Sequence, residues 1–143
     1  MTVKAILSAK GSEVHTIEPT TNLAVAAKLL AERKIGALVV TGADRRVIGI
    51  VSERDIVRVI AERGAAALDE EVGAVMTRKV VTCSPSDTVG WIMERMTDGK
   101  FRHLPVLDDG RVVGLISIGD VVKSRVSEFE HEQEALREYI GTA

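Results

Sequence analysis

Two seven-residue stretches carry the side chains best suited to chemistry: Gly49-Ile50-Val51-Ser52-Glu53-Arg54-Asp55 and Gly114-Leu115-Ile116-Ser117-Ile118-Gly119-Asp120. Each sets an apolar pair before Ser-x-x-Asp, the pattern of a strand that ends where a helix begins. Such a box can simply close on itself, with Ser52 or Ser117 accepting from a helix amide while Asp55 or Asp120 reaches back. The same place also suits a ligand. A helix start presents unpaired amides and the positive end of the dipole, which favour a phosphate. A carboxylate beside it can accept two hydrogen bonds from a ribose diol. Arg54 has the wrong sign for a first helical turn, and an anion between it and the dipole reconciles the two. Gly119 stands where the first stretch has Arg54, and lets a ligand approach the backbone closely.

Other reactive arrangements are missing from the sequence. There is no Gly-x-x-x-x-Gly-Lys-[Ser/Thr] loop and no Gly-x-Gly-x-x-Gly, and Leu115 stands where a nucleophile elbow around Ser117 needs glycine. Asp55 and Asp120 belong to separate sites and need not form an acid-base pair. Nothing therefore reads as an active site, and the chain is expected not to be an enzyme. Cys83 is the sole cysteine, which excludes an internal disulfide and a cysteine-rich zinc site; its strand-like flanks suggest a buried small hydrophobe. His131 with Glu132 and Glu134 reads as a solvated helix face rather than a metal site, so no metal is expected.

Composition narrows the partners. A net charge of −2 gives no general attraction to nucleic acid or to an anionic membrane. No apolar run approaches the roughly 20 residues of a membrane span, and residues 2–8 are too short and polar for a signal peptide. The expectation is a soluble cytoplasmic protein. With aromatics at only 3%, its core must be built from Val, Ile, Leu, Ala and Met.

The elements that position the two boxes are themselves duplicated. Pro19 recurs as Pro85 at an offset of 66, and the same offset takes Thr16 to Thr82, Lys34 to Lys100, Leu38 to Leu104 and Val40 to Val106. Leu23, Ala26, Ala27 and Leu30 reappear as Val89, Ile92, Met93 and Met96, an amphipathic helical stripe printed twice. Past the polar connection at residues 42–46 the offset drops to 65, so the lost residue falls in a turn, where length changes are tolerated. Each copy reads strand, helix, strand, strand, helix. The first strand is expected at 14–17 and again at 80–83, the first helix is capped by Thr21 or Asp87, and the hairpins lie at 35–40 with 47–51 and at 102–107 with 112–116. Residues 64–73 link the copies. The division is 1–66 for the first repeat, 67–125 for the second and 126–143 for a C-terminal helical extension. Units of this size bury little surface alone, so they should pack together and leave clefts between them.

Two such copies, with Val75-Met76-Thr77 opening the second and Lys100-Phe101-Arg102-His103-Leu104-Pro105-Val106 as its hairpin strand, resemble a tandem pair of CBS domains, a Bateman module. The resemblance runs to about Arg125. It implies an α/β (α+β) fold of two βαββα repeats with pseudo-twofold symmetry, binding AMP, ATP, NAD(H) or another adenosyl ligand between the copies. By that resemblance Asp55 and Asp120 hold ribose hydroxyls, with Ser52 and Ser117 near the phosphate. Thr16, Thr82, Ile35, Gly36, Ala37, Arg102, His103 and Leu104 would line the adenine. Gly36-Ala37-Leu38-Val39 departs from the Arg-His-Leu-Pro form of the second copy, so the two clefts should not bind alike.

The tail carries a different signal. Val122, Val126, Phe129, Leu136 and Ile140 follow alternating four- and three-residue steps, with Gln133 filling the missing position. This seam suits either a lid on the chain's own core or contact with a second subunit, and the second, a homodimer, is the expectation. It also sustains the alternative of a ligand-free scaffold that recruits a regulated protein through its helix.

Overall fold

The computed structural model describes residues 1–142. In chain order the elements are α1 (Val3–Lys10), β1 (Thr16–Ile17), α2 (Leu23–Arg33), β2 (Ala37–Thr41), β3 (Val47–Ser52), α3 (Glu53–Arg63), α4 (Val72–Val75), α5 (Val89–Gly99), β4 (His103–Asp108), β5 (Arg111–Ser117) and α6 (Ile118–Thr142). In the first copy β1 runs parallel to β2, which pairs antiparallel with β3. In the second, β4 and β5 form the matching antiparallel pair.

Of the stripe residues, Leu23, Ala26 and Leu30 are buried in α2 and Val89, Ile92 and Met96 in α5, while Met93 stays exposed. Both helices begin one residue later than the sequence suggests, on Asn22 and Thr88, whose side chains accept from Val25 and Trp91. The reason lies in the other copy. The carbonyl of Thr21 accepts the amide of Val72 at 2.7 Å and that of Asp87 accepts Val3 at 2.9 Å. An N-cap carbonyl must start the intrahelical ladder, so with these two carbonyls taken the cap passes to the next residue.

Those bonds are part of a symmetric exchange. Lys4 donates to Pro85 as Gly73 does to Pro19, and each opening helix buries its apolar residues in the opposite copy's core. Val3, Ile6 and Leu7 join the core of Val89, Ile92, Leu104 and Ile116, whereas Val72, Val75 and Met76 join that of Leu23, Leu38, Val40 and Val51. Glycines make room for the knobs. A Cβ on Gly49 would lie 2.4 Å from the Met76 sulfur, and one on Gly114 2.7 Å from a Leu7 methyl. Each core thus draws on residues from both sides of residue 66, where the sequence suggests the boundary between the repeats.

The first strand of the second copy is shorter than residues 80–83 predict, reduced to a bridge of Cys83 with Val106. Proline explains the loss. In the first copy the amide of Val39 donates to the His15 carbonyl. Its counterpart is Pro105, which has no N–H to give. Cys83 itself is buried in the second core, and burial, helped by the charge of Asp87, pushes its thiol up to about 12, consistent with an inert packing residue.

Candidate functional site

Two clefts open between the copies, one on each side of the pseudo-twofold axis. The first, of about 480 Å³, brings Ser117, Asp120 and His103 of the second copy against Ile35, Gly36 and Ala37 of the first. The second, of about 370 Å³, joins Ser52, Arg54 and Asp55 of the first copy to Arg102 and His103 of the second. Both volumes fall in the range of small-molecule pockets, roughly 300–1,000 Å³. Gly36 and His103 border both clefts. A Cβ on Gly36 would lie 3.2 Å from the imidazole Nε2, so the glycine keeps the space that the ring fills.

The Ser-x-x-Asp boxes close as caps. Asp55 Oδ2 accepts from the Ser52 amide at 2.9 Å and its hydroxyl at 3.0 Å, and the Asp55 amide donates back to Ser52 Oγ. Asp120 Oδ2 accepts from the Ser117 amide at 2.9 Å, with the Asp120 amide on Ser117 Oγ at 3.2 Å. The first amide of each helix is also taken. Glu53 donates to the Gly36 carbonyl and Ile118 to that of Arg102, at 3.0 and 2.8 Å. Only the second amide, that of Arg54 or Gly119, is claimed neither by a cap nor by the crossing chain. The helix tips are therefore poorer in free donors than an uncapped terminus, and a phosphate here must rely largely on side chains.

The two carboxylates differ in what remains of them. Asp55 is buried, and its second oxygen sits 3.2 Å from the Arg58 guanidinium. Asp120 is half-buried. Lys10, from the exchanged α1, reaches its Oδ2 at 2.7 Å and also donates to the Leu115 carbonyl, leaving Oδ1 for an incoming hydroxyl. Burial pushes the Asp120 carboxyl up, but the Lys10 and Ser117 hydrogen bonds and the Lys10 charge outweigh it, and the net shift is downward. His103 is held below the usual imidazole range by burial, with Lys10 and Arg102 adding to the effect against the opposing pull of Glu53 and Asp120. A neutral ring at neutral pH offers both a donor and an acceptor to a base.

Of the residues singled out in sequence, ten border one cleft or both: Ser52, Arg54, Asp55, Arg102, Gly36, His103, Ile35, Ala37, Ser117 and Asp120. Four do not. The Leu104 side chain is fully buried in the second core, because strand alternation turns it away from His103. Thr16 lies in β1 opposite Val39, and its neighbour His15 faces the Asp120 cleft in its place. Thr82 is half-buried beside Cys83 and borders neither cleft, and Gly119 is exposed at the start of α6 with Ile118 turned to the Asp55 cleft instead. Sequence reasoning passed over Lys10, His15, Lys34, Arg58 and Lys100. Lys34 and Lys100 were detectable as a repeated pair, and each ends its helix in the left-handed conformation. Lys10 gave no local signal, since only the exchange of α1 brings it to Asp120. Among the described residues no cluster of His, Cys, Asp and Glu is placed to hold a metal, and no helix is long and apolar enough to cross a membrane.

Comparison with known proteins agrees with this architecture. The model of the CBS domain matches residues 3–62 and again 72–127. A mitochondrial CBS domain-containing protein of Arabidopsis thaliana is 39% identical over 119 residues, 80% of this chain; the chain spans 58% of that relative's length. A crystal structure of a CBS-domain containing protein from Agrobacterium tumefaciens is 49% identical and superposes with a TM-score of 0.84, covering 87% of this chain and 99% of the other. A CBS domain protein from Pyrobaculum aerophilum, solved in complex with AMP, is 28% identical with a TM-score of 0.75, over 84% of this chain and 89% of the other. With two copies of the domain, each cleft built from both, the chain belongs to the CBS domain family.

Proposed function

We propose that this protein is a cytoplasmic regulatory module that binds an adenine nucleotide, of the AMP, ATP or NAD(H) type, in the clefts between its repeats and catalyses no reaction. The observation that carries the reading is the Asp120 cleft. It sets a carboxylate with a spare oxygen, a neutral imidazole and the backbone of Gly36 around a volume fit for a nucleoside. The AMP held by the Pyrobaculum aerophilum relative supports the same ligand class. Asp120 accepts the ribose diol, His103 and the segment Ile35, Gly36 and Ala37 face the base, and Ser117 lies toward the phosphate. In the second cleft Arg54 and Arg102 face the phosphates beside Ser52, and Asp55 meets the ribose only where the sugar displaces Arg58 from it. The ligand acts by binding one packing arrangement of the halves or subunits better than another, since only differential affinity shifts an equilibrium. Calorimetric titration of nucleotide-free protein with AMP, ATP and NADH tests the reading. Saturable binding of at least one is expected, and silence toward all three overturns it.

A second reading rests on α6. Val122, Val126, Phe129, Leu136 and Ile140 are each about half exposed or more along this 25-residue helix, which suits a seam with a second copy or with a regulated protein. If that seam is the whole function, purified protein will carry no adenine absorbance and take up none.

A further inference from the structure

The two clefts share their caps but not their charge. Around Asp55 stand four cations, Arg54, Arg58, Lys100 and Arg102. Arg58 is spent on Asp55. The other three have no carboxylate at ion-pair distance among the described residues, and Glu53 is the single further acid at the cleft. Around Asp120 the count is neutral: Lys10 is paired with Asp120, and Lys34, with no carboxylate at ion-pair distance among the described residues, is matched in number by Glu13, with two imidazoles besides. Exposed cations left unpaired on both walls of a cleft repel one another and gain from a shared anion. Guanidinium forks match phosphate oxygens two at a time, and Arg54 and Arg102 come from opposite copies, so a chain of phosphates can join what the fold brings face to face.

We infer that the clefts are sorted by ligand charge: the Asp55 cleft takes a polyphosphate, of the nucleoside di- or triphosphate class, and the Asp120 cleft takes an adenosine ligand with at most one phosphate. This rests on the adenine-nucleotide reading for the nucleoside part, but the polyanion site stands on the cations alone. Lys10 has no free charge to offer in the Asp120 cleft until it leaves Asp120, which weighs against a long phosphate chain there.

The test uses the full chain and the double variant Arg54→Ala with Lys100→Ala, both exposed side chains whose loss leaves the cores intact. Three probes are titrated: ATP, AMP and inorganic tripolyphosphate. Expected is a fall of about tenfold or more in ATP and tripolyphosphate affinity, a weaker salt dependence of both, and less than a twofold change for AMP. Equal losses for AMP and ATP, or unchanged ATP affinity, would overturn the sorting while leaving nucleotide binding in place. Tripolyphosphate binding that needs Arg54 and Lys100 in a protein blind to AMP and ATP would sustain the polyanion site and overturn the nucleotide reading. Absence of tripolyphosphate binding to the parent chain refutes the polyanion site outright.

Discussion

Both copies place a serine and an aspartate at the same turn, and in both the pair folds back to cap a helix, yet the surroundings of the two carboxylates have little in common. Asp55 is sealed between its own serine and Arg58, inside one copy. Asp120 is held by Lys10, a residue more than a hundred positions away that arrives on the exchanged helix α1. At the first copy's site the corresponding segment leaves its helix after Val75, and the backbone of Thr77 bridges Ile50. In the other, α1 runs on to Lys10, and its ammonium takes the Leu115 carbonyl instead. The two copies thus share their caps, which each forms within itself, and differ in their clefts through what the other copy sends across.

The largest effect should come from the exchange itself. Leu7→Ala removes the knob that fills the space above Gly114, and should cost about 2–5 kcal/mol in denaturant unfolding. Because α1 also delivers Lys10, any ligand affinity lost should be confined to the Asp120 cleft. A loss shared with the Asp55 cleft would show that the two clefts are not set apart by what α1 delivers.

Next comes the direct contrast of the carboxylates. Asp120→Ala should weaken nucleotide binding by about 1.5–3 kcal/mol, the worth of a hydrogen-bonded charge. Asp55→Ala should instead appear first in stability, by about 0.5–2 kcal/mol, since its oxygens already serve the cap and Arg58. Isothermal titration and urea melts on the same two proteins separate the outcomes.

A smaller effect is expected for Lys10→Met. In the folded state the Asp120 carboxyl lies below its ordinary range, so its contribution to stability is present above the unfolded value and is lost as pH falls through the folded one. Without Lys10 that acid-side loss should shrink, by about 0.5–1 kcal/mol at most for a pair this exposed. Stability measured from neutral pH down into the carboxylate range checks it; an unchanged pH profile would detach Lys10 from Asp120.

How much of this was legible beforehand follows the same division. What each copy does for itself could be read locally. The offset of 66 and its loss in a polar turn, the stripe beginning at Leu23 and Val89, and the boxes at Ser52 and Ser117 all lie within one repeat. What one copy does to the other could not. Thr21 and Asp87 look like caps until their carbonyls are seen to be taken by Val72 and Val3. Within each copy, too, the helix starts look rich in free amides until a distant carbonyl of the same copy, that of Gly36 or Arg102, takes the first of them. Thr16 and Leu104 were placed one residue out of phase, because strand alternation decides which of two neighbours faces the cleft, and the face was not known.

The smallest expected change concerns the strand that shortened. Pro105→Val returns the missing N–H opposite Val81 and should make the second copy's first strand resemble the first copy's, with less than about 1 kcal/mol change in stability. Amide exchange should then reveal a newly protected proton at 105, and a rapidly exchanging one would mean that proline is not what shortens the strand.

Whether an adenosyl ligand sits between the copies on the Asp120 carboxylate can be seen by following backbone amides in a heteronuclear NMR titration with AMP. Saturable shifts concentrated at Gly36, His103, Ser117 and Asp120 are expected, and in Asp120→Ala the same shifts at Gly36, His103 and Ser117 should need roughly ten- to a hundredfold more AMP. Saturating AMP that moves none of these amides, or only those of α6, would contradict that placement.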